Sequence, residues 1–249
     1  MESAWKYDKD GHWTICLNEG CGEILHAKEA HSFDETFTCT TCGYVMPEED
    51  RPIDTSSCPR DETCPMTKFT DLNKQQWYHD GVHYCIEQGY MNGMSANTFE
   101  PETELSRAMV VVLLYRIEGS PVVSGECPFQ DVKQGTWYYD AVLWATQNGI
   151  ANGVSATKFA PDDSVTREQT AAFMFRYANK IGRDVTPRAD LSTFPDANKI
   201  SGYAVDALAW AVAVGMINGS REGDVTYLLP IGTTTRAQYA SIIYRFLEK

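Results

Sequence analysis

The sequence predicts a mainly α protein made of three helix-loop-helix repeats behind a small Cys-rich front segment. Three observations carry this expectation. Landmarks recur in register three times after residue 62, each copy holds two stretches with apolar residues three or four apart, and turn residues stand between those stretches.

The landmarks begin with Phe69-Thr-Asp71, Phe129-Gln-Asp131 and Phe194-Pro-Asp196. An aromatic follows in each copy: Trp77, Trp137 and Tyr203. A first amphipathic stretch then leads to Asn92-Gly93, Asn152-Gly153 and Asn218-Gly219. These dipeptides should supply positive φ after the first helix. The segments Phe99-Glu-Pro101, Phe159-Ala-Pro161 and Leu228-Leu-Pro230 should cross in extended form, because proline cannot continue a helix. Ser106, Thr166 and Thr235 then cap a second helix, with Gln169 and Gln238 placed to complete capping boxes and Met109 unable to. Each copy therefore reads as a helical hairpin. The boundaries are 62–121, 122–187 and 188–249, with the extra residues of the third copy falling in a surface loop around Arg221–Val225. Trp144 and Trp210, inside the first helices, read as core.

Composition narrows the function. Hydrophobic residues at 43% and charged residues at 22% are ordinary globular values. The net charge of −13 argues against a nucleic-acid partner. It is concentrated in front: residues 1–61 carry 13 acids and 5 bases, whereas 62–249 carry 21 acids and 16 bases. An anionic ligand thus remains open to the repeats. No apolar run is long enough for a membrane span. The first residues show no signal-peptide core, which by itself implies a cytosolic protein; the repeats favour a piece of a longer exported one.

The informative residue in each copy is the arginine just after the cap: Arg107, Arg167 and Arg236. A cation at a helix N-terminus is locally unfavourable, so its recurrence needs a reason. One reason is a bound anion shared by the guanidinium and the helix N–H groups. The other is an intramolecular partner, namely Asp71, Asp131 or Asp196 in the same or the next copy. The aromatics Trp77, Trp137 and Tyr203 divide the same way, between core and a platform for stacking a glycan.

These landmarks, with the boxes Ser106-Arg-Ala-Met109, Thr166-Arg-Glu-Gln169 and Thr235-Arg-Ala-Gln238, resemble the S-layer homology domain over residues 68–249. The resemblance implies three tandem copies closed into a pseudo-threefold bundle. It also implies non-covalent binding of an anionic, pyruvylated secondary cell-wall polysaccharide, and so a non-catalytic anchor on a Gram-positive-type cell surface, monomeric as a module. The glycan-binding residues it implies are Asp71, Trp77, Gly93 and Arg107 in copy one; Asp131, Trp137, Gly153 and Arg167 in copy two; and Asp196, Tyr203, Gly219 and Arg236 in copy three. The family's glutamate in the fourth box position is absent from all copies. With Tyr203 in place of tryptophan, the third copy should bind least.

Residues 1–46 stand outside the repeat, and 47–61 read as a polar, proline-bearing linker. Cys16-x4-Cys21 and Cys39-Thr-Thr-Cys42 resemble the two knuckles of a small β zinc ribbon, implying Zn on Cys16, Cys21, Cys39 and Cys42. His12, His26 and His31 are further potential ligands, and two disulfides are the alternative. Cys58 and Cys64 flank the start of copy one and could close a small loop. No nucleophile-base order, phosphate loop or His-Glu-x-x-His element is present, so the protein is not expected to be an enzyme. The alternatives are a zinc-dependent protein-interaction module and the anchoring part of a larger surface hydrolase.

Overall fold

The computed structural model describes residues 3–8, 10–16, 24–32, 38–44 and 58–248. Most of the expected linker, together with Cys21 and the side chains of Cys16 and His26, lies outside the described residues. The chain divides into two compact units, Met1–Ile53 and Asp54–Lys249.

In the first unit, β1 (Ser3–Asp8), β2 (Gly11–Cys16) and β3 (Ile24–Glu29) form an antiparallel sheet in that order. The turn that follows is closed by Cys39 N–H donating to Tyr44 O (2.7 Å) and Gly43 N–H donating to Cys39 O (2.9 Å).

Among the described residues the second unit holds six α-helices. They are α1 (His79–Glu87), α2 (Arg107–Ile117), α3 (Tyr139–Gln147), α4 (Arg167–Lys180), α5 (Val205–Ala213) and α6 (Arg236–Leu247). Both helices of each copy are thus where the periodicity puts them. The capping is also as expected: Thr166 and Thr235 form full capping boxes, while Ser106 only accepts from Met109 N–H. The extra residues of copy three fold as a hairpin of β4 (Ser220–Glu222) and β5 (Val225–Tyr227).

The packing corrects the hairpin expectation. The helices that pack closely are α2 with α3, α4 with α5, and α6 with α1, so each first helix lies on the second helix of a neighbouring copy. The reason is the segment between them. Glu100, Ala160 and Leu229, the middle residues of the crossings, have φ of 60°, 59° and 51°, a left-handed turn in place of a purely extended strand. That turn sends the second helix away from its own partner. Its strain, of order 1–2 kcal/mol per residue, is offset by a carboxylate. Asp71 accepts from the N–H of Phe99 (2.8 Å) and Glu100 (2.7 Å); Asp131 and Asp196 do the same for Phe159/Ala160 and Leu228/Leu229.

Three peptide groups tie the copies together: Leu105 N–H donates to Thr234 O, Thr234 N–H to Val165 O, and Val165 N–H to Leu105 O. Around them the core is filled by Leu114, Met174, Tyr177 and Tyr239, with Trp210 and Trp144 buried against it as expected.

The glycines divide by role. Positive φ falls at Gly89, Gly149 and Gly215, directly after the first helices, at 70°, 67° and 70°. It is absent from Gly93 and Gly153, contrary to the expectation for Asn-Gly, and present at Gly219 (78°). Gly93 is glycine for space: a Cβ there would stand 2.3 Å from the Phe69 ring and 2.5 Å from Ser95 O. Gly93→Ala should therefore cost about 2–3 kcal/mol by overpacking. Gly89→Ala, which meets no atom within 4 Å, should cost only the left-handed strain of about 1–2 kcal/mol. Chemical denaturation of the two variants checks that order.

Candidate functional site

The helix N-termini that carry the three arginines are bonded within the protein. The first two N–H groups of α2, those of Arg107 and Ala108, donate to Asp163 O and Pro161 O of copy two. Those of Arg167 and Glu168 donate to Gly232 O and Pro230 O, and those of Arg236 and Ala237 to Thr103 O and Pro101 O. With the third N–H taken by the cap, the helix ends are saturated. The guanidinium groups cross to the neighbouring copy as well. Arg107 Nε donates to Phe159 O (2.8 Å), Arg236 Nε to Phe99 O (2.8 Å) and Arg167 Nε to Leu228 O (2.9 Å).

Arginine and aspartate are therefore partners through a peptide. Asp71 holds the N–H of Phe99, and Arg236 holds its C=O; the other two pairs repeat this. Burial pulls the pKa of all three guanidiniums down from the ordinary value, and the aspartates oppose it. Burial also acts to raise the Asp131 pKa, but the N–H groups of Phe159 and Ala160 outweigh it and hold the carboxyl below its usual range.

What lies open is a groove beside each of these contacts, and each groove draws on all three copies. Groove one, about 360 Å³, brings together Gly93 of copy one, Trp137 of copy two and Arg236 of copy three. Groove two, about 460 Å³, joins Gly153, Tyr203 and Arg107. Groove three, about 230 Å³, joins Gly219, Trp77 and Arg167. The aromatic is surface in every case, with Trp77 at 59%, Trp137 at 61% and Tyr203 at 56% exposure, so the core reading of these residues does not hold. The pairing also moves. Tyr203 lines the groove of copy two, so the tyrosine stands in groove two and groove three has Trp77.

A second arginine lines each groove and was missed from the sequence: Arg116 in groove one, Arg176 in groove two and Arg245 in groove three. Each stands nine residues after the first arginine of its own helix. That interval turns a helix by about 180°, which places the two arginines of one helix in different grooves. Arg116 donates to Tyr90 O (3.0 Å) and Arg245 to Met216 O (3.3 Å) through Nη1. A constant offset in all three copies was the available signal.

The grooves differ in detail. In groove one Arg236 also donates to Asn92 O (2.7 Å), and Arg107 in groove two to Asn152 O (2.8 Å). Both lie over a phenylalanine, at 4.5 Å from Phe99 and 4.8 Å from Phe159. Leu228 removes that ring in groove three, where Arg167 makes a single side-chain hydrogen bond among the described residues. In groove two the Tyr203 hydroxyl donates to Glu168 Oε1 (3.0 Å). Burial first, then Glu168, push its phenol up to about 12, which keeps the proton on.

In the first unit, Cys39 and Cys42 converge with His12 and His31, whose potential as ligands the sequence had indicated. Cys39 Sγ lies 3.6 Å from His12 Nδ1, Cys42 Sγ lies 3.6 Å from His31 Nδ1, and the two nitrogens are 3.4 Å apart. A tetrahedral zinc ion with its usual bond lengths needs S···N edges of about 3.6 Å and N···N edges of about 3.3 Å. The donors fit zinc, with two histidines in the set.

Residues 68–108 and 128–171 match the model of the S-layer homology domain family. Whole proteins match as well. The chain is 33% identical over 185 residues to a surface-layer 125 kDa protein of Lysinibacillus sphaericus, covering 73% of this chain and 15% of that one. It is 32% identical over 181 residues to an endoglucanase of Bacillus sp. (strain KSM-635), covering 73% and 19%. A cellulosome-anchoring protein of Acetivibrio thermocellus matches at 28% over 174 residues, covering 68% and 37%. The chain thus spans less than two fifths of the length of any of these three relatives. Among the described residues no helix is long and apolar enough to cross a membrane.

Proposed function

We propose that residues 62–249 are three S-layer homology copies closed into a pseudo-threefold bundle. In this reading the bundle is a non-catalytic anchor that holds the protein to the cell surface by binding an anionic, pyruvylated secondary cell-wall polysaccharide. One observation carries it: every groove sets two guanidinium groups beside an exposed aromatic and a glycine backbone. Paired arginines give a carboxylate charge-assisted, bidentate bonds. The aromatic offers an apolar face to a sugar ring, and the glycine lets that ring approach the backbone. The net charge of −13 does not oppose this, because exposed acids beyond about 8 Å are screened at physiological salt.

The relatives support the anchor class. A similar stretch occurs in a surface-layer protein, an endoglucanase and a cellulosome-anchoring protein, and an attachment role in this chain would suit proteins of such different kinds. The aspartates leave the ligand-binding set in this proposal, since both oxygens of each are occupied by backbone N–H groups. Arg116, Arg176 and Arg245 enter it. The front unit is proposed to hold zinc on His12, His31, Cys39 and Cys42, where the metal would supply the stability that a sheet of three short strands lacks.

Sedimentation with purified wall sacculi tests the anchor. The protein is expected to pellet with intact sacculi, and to stay in solution when the secondary polysaccharide has been extracted or its pyruvate removed. Equal pelleting with extracted sacculi would contradict the glycan reading.

A further inference from the structure

A second cluster of metal-binding side chains lies in the helical unit, away from the grooves. Cys58, Cys64, His79 and His83 each offer a ligand atom, and all four atoms lie within 4.8 Å of one another. Cys64 Sγ is 3.7 Å from both His79 Nε2 and His83 Nδ1. These distances match the S···N edge of about 3.6 Å in a tetrahedral zinc site. Cys64, His79 and His83 are buried and Cys58 is half-buried, so the cluster is largely shielded from solvent.

The surrounding groups fix the two rings. His79 Nδ1 lies 2.7 Å from Asp80 Oδ1, and Arg60 lies 3.7 Å from the same oxygen. His83 Nε2 lies 3.3 Å from Glu87 Oε2. Each imidazole can donate its outer N–H to a carboxylate and turn its other nitrogen, with its lone pair, toward Cys64. This is how metal-ligating histidines are ordinarily held. The repeat supplies an independent reason. His79 and His83 correspond to Tyr139 and Leu143 in copy two and to Val205 and Ala209 in copy three. The bundle template therefore does not require histidine here, and both histidines occur in the one copy whose start is flanked by two cysteines.

We propose that Cys58, Cys64, His79 and His83 form a structural zinc site that fastens the chain entering copy one to helix α1. Both thiols bind as thiolates and release their protons to solvent, and no redox step is involved. Because α1 packs on α6 of copy three, the ion stabilises the contact between the first and last copies.

The test uses the full chain with Cys39→Ser/Cys42→Ser, and adds to that background either Cys58→Ser/Cys64→Ser or His83→Asn. Bound zinc is measured by mass spectrometry after exhaustive dialysis, with Co(II) substitution to read the coordination. The Cys39→Ser/Cys42→Ser chain should retain one zinc, give the intense visible bands of tetrahedral Co(II) with thiolate charge transfer, and lose thermal stability on chelation. His83→Asn, which leaves both cysteines in place, should lose that ion while its far-UV circular dichroism stays helical. A Cys39→Ser/Cys42→Ser chain without metal, or with Cys58 and Cys64 joined in a disulfide in peptide maps, overturns the proposal. Retention of zinc with full affinity by Cys58→Ser/Cys64→Ser/Cys39→Ser/Cys42→Ser does so too.

Discussion

Replacing Asp131 with alanine is expected to lower the stability of the helical unit by about 3 kcal/mol. The change leaves the N–H groups of Phe159 and Ala160 without their acceptor, and each charge-assisted bond is worth about 1.5–3 kcal/mol. It also leaves Ala160 in a left-handed conformation with nothing to hold it there. The damage spreads between copies, since the carbonyl on the far side of the same peptide is the acceptor for Arg107. The pH dependence has a definite sign. The folded carboxyl titrates below its usual 3.8, so its contribution is present in full above that value and is lost as pH falls through the lower folded value. The parent should therefore lose melting temperature steeply below about pH 4, and the Asp131→Ala chain less steeply. Equal slopes in thermal scans from pH 6 to pH 2 would remove Asp131 from this role.

Replacing Trp77 with alanine should do the reverse, changing binding and leaving the fold intact. The indole is 59% exposed and packs edge-on to Tyr78 at 5.5 Å between centroids. Its loss should move stability by no more than about 0.5 kcal/mol. A stacked sugar contact of about 1.4 kcal/mol corresponds to roughly tenfold in affinity at groove three. Titration calorimetry with a pyruvylated disaccharide, alongside a thermal melt, separates the two effects. A loss of stability without a loss of affinity would return Trp77 to a structural role.

Much of this architecture was legible in the sequence. Both helices of every copy and the capping boxes at Thr166 and Thr235 follow from local periodicity and hydrogen-bonding chemistry, which act within a few residues. The partners of the helices did not follow. Helix α1 packs on α6 because Glu100 turns the chain left-handed, and nothing in the residue type of Glu100 announces a positive φ. Asp71 does so only through a contact about thirty residues away. For the same reason the sequence leaves open whether Arg107 finds its partner in its own copy or the next, and the structure places it against Phe159 of copy two. The exposed face of Trp77 was equally hidden, since a tryptophan beginning a helix is compatible with core or surface until the neighbouring copy is placed. The cluster at Cys58, Cys64, His79 and His83 has a visible signal, a His-x3-His spacing on one helix face behind a cysteine pair, but the same helix also carries the landmarks of the repeat.

The central claim is that each groove is assembled from three copies, and pairing Trp77 with two different arginines tests it most directly. Trp77 and Arg245 share groove three although they belong to copies one and three, whereas Trp77 and Arg116 share a copy and line different grooves. Calorimetric titration of the disaccharide into Trp77→Ala, Trp77→Ala/Arg245→Gln and Trp77→Ala/Arg116→Gln compares them. The account predicts that Arg245→Gln adds little to the loss already caused by Trp77→Ala, and that Arg116→Gln removes a further site. The opposite pattern, with Arg116→Gln silent in the Trp77→Ala background and Arg245→Gln costly, would contradict it.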